Sequence, residues 1–303
     1  MTTPLRKSDD AIDAYQTVGS LNSGPVATSA PATLTPAEVR EHIDGIAAFL
    51  GGSANVIMQL ALKPVGYGVM ESDVHTGSVM LVPAKRLRTT LTYIAVALMG
   101  DEGDRAAYRA AVNGAHRTVH TKPTSPVKYN AFDPKLQLWV ASCMYWGLDD
   151  LYQRLRGPMT PELAEAFYQH CARFGTTLQM RQEMWPATRD EFYVYWEENL
   201  ATRTIDDPTR EYFNALTDLR MISKPLQRVF GPFHRFVTTA LLPPHLRAEM
   251  GMTWTPRQER RFVFVLRALA AVWSKLPTVI RLFPYNFYLA DMRLRRRFGR
   301  PLI

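Results

Sequence analysis

A chain of 303 residues with 47% hydrophobic and 21% charged residues carries enough apolar surface to offset the conformational entropy lost on folding, which excludes disorder throughout. The net charge of +8 is concentrated at one end: residues 256–303 hold eleven Lys/Arg against two acids, and the remainder is near neutral. The first residues lack the apolar core of a secretory signal, and no run reaches the ~18–20 apolar residues needed to cross a bilayer, so a cytoplasmic protein is expected.

Residues 1–34 mix charges with a Ser/Ala/Pro/Gly-rich run from Gly19 to Pro31 that offers no periodic apolar face, and a mobile tail is expected there. From residue 35 onward, helix starts dominate. Thr35-Pro36-Ala37-Glu38, Thr188-Arg189-Asp190-Glu191 and Thr255-Pro256-Arg257-Gln258 fit the capping box, in which a hydroxyl and an N3 side chain satisfy each other's backbone donors. Asp133-Pro134 and Thr160-Pro161 add starts with proline at the first helical position, where its missing N–H costs nothing. The pattern predicts helices over 36–50, 53–62, 84–99, 103–119, 134–147, 161–173, 189–200, 208–221, 230–241, 256–274 and 277–297. Residues 65–82 read as irregular and 120–132 as a Pro-rich loop. No repeat or internal linker appears, so the expected fold is a single all-α domain over 35–303.

Cys143 and Cys171 are too few for a disulfide framework and have no partner at C-x-x-C spacing, so both read as reduced core residues. The chain has no G-x-G-x-x-G, Walker loop, H-E-x-x-H or G-x-S-x-G, which excludes the enzyme classes those motifs mark. Two polar constellations remain. On the helix predicted over 103–119, Tyr108, Val112, Ala115 and Val119 form a stripe about 60° wide, and His116 lies about 40° beyond its edge. A histidine there is most often a hydrogen-bonded boundary residue. His120 follows at i+4, a spacing that lets two imidazoles grip one metal ion from a single helix, with a carboxylate from elsewhere completing a non-haem iron or zinc site. On the preceding helix, Arg86 and Thr90 share one face, continued by Ala97, apart from the apolar stripe Leu87, Leu91, Ile94 and Leu98. The simplest reading of that row is a solvated face.

The order of short motifs adds a resemblance. Gln59-Leu60-Ala61 with Pro64 and Gly68-Val69 is followed by Arg86-Leu87-x-x-Thr90 closing at Gly100. Then come His116-x-x-Val119, Tyr129-x-Ala131-x-Asp133-Pro134, Trp139-Val140 and, much later, Leu241-Leu242-Pro243-Pro244-x-Leu246-Arg247. This order resembles the catalytic domain of the MpaB oxygenase and rubber oxygenase (latex-clearing protein) family, over about residues 45–250. The resemblance implies a globin-like helical arrangement around non-covalent haem b, with His116 as the axial ligand of the haem iron and Arg86 and Thr90 beside the haem as catalytic and haem-holding residues. The absence of C-x-x-C-H agrees with a haem held without thioether links. It further implies O2 and a hydrophobic, unsaturated small molecule as reactants. His120 sits where many relatives have arginine. The departure is at Thr89, where rubber-cleaving members carry lysine, and this argues against rubber as the substrate.

Phe132, Trp139, Met144 and Trp146 are candidates for an apolar wall, although core packing is their commoner role, as it is for Phe192 to Trp196. Asp133 is expected to cap the following helix and Tyr129 to anchor the loop over the site. His234 and Arg235 are expected to stay clear of the haem propionates. The basic end, with Arg293, Arg295, Arg296, Arg297 and Arg300 interleaved with aromatics, reads first as a solvated helix face with inward-packed rings. The reading of a different class is a non-catalytic haem or lipid carrier that docks on membranes through that end; a nucleic-acid partner is not expected.

Overall fold

The computed structural model describes residues 33–303, so the expected tail over 1–34 falls almost wholly outside the described residues; Ala32–Ile303 form one compact unit. The described residues build helices and turns, with one isolated antiparallel bridge between His120 and Asn130 and no strand. In chain order the helices are α1 (Ile46–Leu60), α2 (Lys63–Met70), α3 (Pro83–Met99), α4 (Glu102–His116), α5 (Pro134–Arg156), α6 (Pro161–Cys171), α7 (Arg173–Thr176), α8 (Arg189–Ala201), α9 (Asp207–Thr217), α10 (Lys224–Leu241), α11 (Pro244–Glu249), α12 (Pro256–Trp273), α13 (Thr278–Arg281) and α14 (Tyr285–Arg297).

Four of the five helix starts written in the sequence begin α-helices where expected. Thr160, Thr188 and Thr255 accept from the backbone N–H groups of Leu163, Glu191 and Gln258, and Asp133 accepts from that of Lys135. Asp101 adds a cap absent from the sequence-based expectations: it forms a reciprocal capping box with Asp104 at the start of α4. The Thr35 box forms too, with Thr35 N–H donating to Glu38 Oε2 at 2.8 Å, but only a 3-10 turn over Glu38–Glu41 follows it.

The expected break at Gly51-Gly52 does not occur. α1 runs through it because Gly51 faces α5 so closely that a Cβ there would lie 2.7 Å from Leu151 Cδ1. Packing against α5 thus outweighs the helix-weakening tendency of two glycines. Residues 65–70, the start of the stretch expected as irregular, belong to α2, which Pro64 starts in its first turn. At the other end, the helix expected over 277–297 is split into α13 and α14 around Phe283-Pro284.

Aromatic stacking holds the centre. Trp196 of α8 lies between two rings of α5, with centroids 5.2 Å from Trp139 and 5.1 Å from Trp146 and planes within 14° of parallel. Tyr145, Phe167, Tyr168, Trp185 and Phe192 pack beside it, several edge-to-face. Cys143 and Cys171 are buried free thiols within this core. Trp139 and Met144 are therefore core residues, as their commoner role predicted. Among the described residues no single helix is long and apolar enough to cross a membrane; the bent pair α1 and α2 matches by length and composition alone, and five residues of α1 are buried in the core.

Candidate functional site around His116

α4 ends at His116, and the chain then turns. This corrects the helix expected through residue 119 and has a chemical consequence. His120 lies on the bridge to Asn130 and is exposed, so the two imidazoles are not stacked on one helix face. Among the described residues no group of three or more His, Cys, Asp or Glu side chains is placed to hold a metal ion, so the His116/His120/carboxylate arrangement is not formed.

The loop after α4 folds back on itself. Thr121 N–H donates to Tyr129 O at 2.9 Å, Tyr129 N–H to Thr121 Oγ1 at 2.7 Å, and Ala131 N–H to Val119 O at 3.0 Å. These bonds return the chain to the end of α4 and bring Phe132 edge-on to His116, with centroids 6.3 Å apart and planes at 85°. Tyr129 anchors the loop from below: its hydroxyl donates to Glu71 at 2.8 Å, and its ring covers Gly68, where a Cβ would approach Tyr129 Cδ2 to 3.2 Å. The Gly68 and Tyr129 motif pieces are thus two sides of one contact.

A ladder of polar side chains fixes the rotation of α4. Arg105 and Arg109 donate to Thr176 and Thr177, through hydroxyls and carbonyls respectively. Asn113 accepts from Gln179 Nε2 at 2.7 Å. Gln179 is in turn paired with Gln137, whose Nε2 donates to Ala131 O at 2.9 Å, the residue before Phe132. His116 is next after Arg105, Arg109 and Asn113 on that side of α4.

His116 itself is mostly buried. Its Nδ1 is shielded from solvent and has no hydrogen-bond partner, and its Nε2 makes no hydrogen bond to a described residue. Burial, with a smaller contribution from the nearby positive charge of Arg86, pushes its pKa down to about 4, so the ring is a neutral imidazole near pH 7.

Arg86 and Thr90 stand one turn apart on α3. The Arg86 guanidinium has no hydrogen bond or ion pair among the described residues; the groups that feel its charge are Tyr212 of α9, Tyr108 of α4 and His116. Its side chain is exposed, and desolvation by neighbouring protein atoms lowers its pKa. The exposure agrees with the solvated-face reading of this row, although the guanidinium has no acidic partner among the described residues. Thr90 is half-buried, and its hydroxyl has no partner among the described residues. Thr89 instead bonds back to Arg86 O at 3.0 Å, and Tyr108 OH caps Thr89 O at 2.7 Å, tying α4 to α3.

α3, α4 and α9 therefore bring Arg86, His116, Tyr108 and Tyr212 together. Nothing in the sequence marks Tyr212, because a through-space charge interaction across more than a hundred residues leaves no local period to read. Trp139 and Trp146 stay in the aromatic stack. His234 Nε2 lies 2.9 Å from Ser53 Oγ and Nδ1 2.7 Å from Thr217 O, while Arg235 pairs with Asp218.

The family model for the "ER-bound oxygenase mpaB/B'/Rubber oxygenase, catalytic domain" matches residues 39–273. The chain belongs to this family. The match to the mpaB/rubber oxygenase domain takes in Arg86, Thr90, His116 and Phe132 and stops before α13 and α14. Uncharacterized proteins of Mycobacterium tuberculosis and Mycobacterium bovis are each 47% identical to the chain over 251 residues, 83% of this chain and 98% of theirs. No solved structure matches.

Proposed function

We propose that the chain is a haem b-dependent oxygenase that uses O2 on a hydrophobic, unsaturated substrate, with the helices arranged around the haem in the globin manner. The observation that carries this reading is the neutral, buried imidazole of His116, with no protein partner on either ring nitrogen, at a position the oxygenase family model spans. A neutral imidazole is the form that ligates haem iron, and a pKa near 4 keeps His116 in that form across the physiological range.

The residues present fit the group. His116 would be the axial ligand, and Phe132 packs against its ring and limits its rotation. Arg86 is a cation with no ion-pair partner among the described residues, an arrangement that would favour an anionic group beside it, such as a propionate. When bound, haem supplies a redox-active iron at which O2 can be activated. The chain's own contribution is electrostatic and steric. Arg86, Thr90 and Tyr212 offer donors that are not consumed by protein acceptors, poised for negative charge that grows on a reacting oxygen. Leu226, Val229, Phe230 and Phe233 leave an apolar face uncovered on α10, beside α9, which suits a hydrophobic substrate.

Oxygen uptake by the haem-supplied protein tests the catalytic part of the proposal. Addition of unsaturated hydrocarbons or lipids is expected to raise the uptake rate, and the Arg86→Met variant to lower that increment about 10²-fold. Haem-loaded protein that consumes no O2 with any of a broad apolar panel would count against an oxygenase.

A further inference from the structure

α14 has two unlike outward faces. Taking about 100° per residue, Phe287, Leu294 and Phe298 lie within about 40° of one another, while the buried side chains Tyr285, Leu289 and Met292 point the opposite way. All three of the first set are large, apolar and exposed, at 56%, 55% and 63%. Phe283, Ile280 and Val279, just before α14, are exposed too, as are Val272 and Phe264 of α12. The expectation that the aromatics of this end pack inward holds for Tyr285 and fails for Phe283, Phe287 and Phe298.

Charge flanks the stripe. Residues 256–303 carry eleven Lys/Arg and two acids. Part of that excess is neutralised within the fold: Arg293 and Arg296 pair with buried Asp104, Arg281 with Asp44, and Arg295 with Asp291. Arg297 has no such partner among the described residues. It lies about 80° around α14 from Phe287 and, together with Arg40 and Arg293, rims a cavity of about 420 Å3 floored by Met99, Leu289, Ala290 and Leu294. Arg40 is likewise exposed and without an acidic partner among the described residues. An apolar floor under unpaired guanidiniums, next to an exposed apolar stripe, complements a molecule with an anionic head and a hydrocarbon body. A row of such molecules is the surface of an anionic bilayer, where long basic side chains reach the head-group phosphates and apolar side chains enter the acyl boundary.

We propose that the outer face of α14 docks on an anionic lipid bilayer, with Phe287, Leu294 and Phe298 inserted at the interface and Arg40 and Arg297 holding a lipid phosphate over the adjoining cavity. The site lies on a different helix set from His116, and most of it falls beyond the stretch matched by the oxygenase family model. Docking there places the protein where apolar substrates are concentrated.

Flotation of the full-length protein with vesicles tests this without any haem or activity readout. Protein is expected to float with phosphatidylcholine vesicles containing phosphatidylglycerol, to float far less with phosphatidylcholine alone, and to release progressively as salt rises. Arg40→Gln and Arg297→Gln should each weaken the partition about fivefold, and the triple change Phe287→Ser, Leu294→Ser, Phe298→Ser should abolish it while the circular dichroism spectrum is retained. At matched ionic strength, replacing chloride with inorganic phosphate should leave flotation unchanged. Equal binding to neutral vesicles, or no binding to either, overturns the proposal. Displacement by inorganic phosphate would assign the cavity to a free anion instead. A doubled mass in solution that the triple change returns to monomer, with no vesicle binding, would assign the stripe to a second copy of the chain.

Discussion

Phe132 meets His116 edge-on at 6.3 Å, and this one ring contact joins the Pro-rich loop to the end of α4. The loop gets there through its backbone bridge to residues 119–121 and through Gln137, so the environment of the imidazole depends on groups well removed from it in sequence.

Removing the ring should admit water to His116. In Phe132→Ala the desolvation that dominates the depression to about 4 is relieved, and the His116 pKa is expected to rise toward the ordinary 6.5. An NMR titration of the imidazole signals measures it; a value unmoved from about 4 would mean that burial by other elements suffices.

The same depression ties stability to pH. A histidine neutral in the fold at pH values where the unfolded chain binds a proton stabilises the fold fully above the unfolded pKa of about 6.5. That contribution is lost as pH falls from about 6.5 toward about 4, by up to about 3 kcal/mol. Urea unfolding at pH 7 and pH 4.5 should therefore show a loss in the wild type that is clearly smaller in His116→Leu. Equal losses in the two proteins would place the acid sensitivity in other groups.

Gln137→Ala removes the donor to Ala131 O and leaves the Gln179 N–H without its acceptor, a cost of about 2 kcal/mol. It should also loosen the loop that carries Phe132 and raise the His116 pKa. A variant that loses stability with an unchanged titration would show that the ladder is structural only.

Gly68→Ala tests the Tyr129 contact. The added methyl would sit 3.2 Å from the ring, tighter than ordinary packing, and should cost about 1 kcal/mol, read from the urea midpoint. Tyr129→Leu should relieve that penalty in the double variant, since the ring that crowds the methyl is gone; additive losses would mean that the strain lies elsewhere.

The helical character of the fold could be read directly, because Thr160, Thr188, Thr255 and Asp133 write their own helix starts in local side-chain chemistry. What could not be read depended on partners far along the chain. Gly51-Gly52 looks like a break until Leu151 lies against it, and residues 65–70 look irregular because two glycines dilute their period. The site behaved similarly. His116, Arg86 and Thr90 were singled out by motif order, but Tyr212, Asn113, Gln137 and Gln179 entered only through tertiary contacts. The chain turns after His116 rather than after residue 119, which takes His120 off the helix face that its spacing suggests.

The central claim is that His116 is a haem ligand, and titrating purified apo-protein with haem while recording the absorption spectrum tests it most directly. The account predicts a sharp Soret band saturating at about one haem per chain in the wild type, and a weakened or displaced band in His116→Ala. A wild-type protein that develops no Soret band would contradict the haem assignment itself, and an identical band in the variant would remove His116 as the ligand.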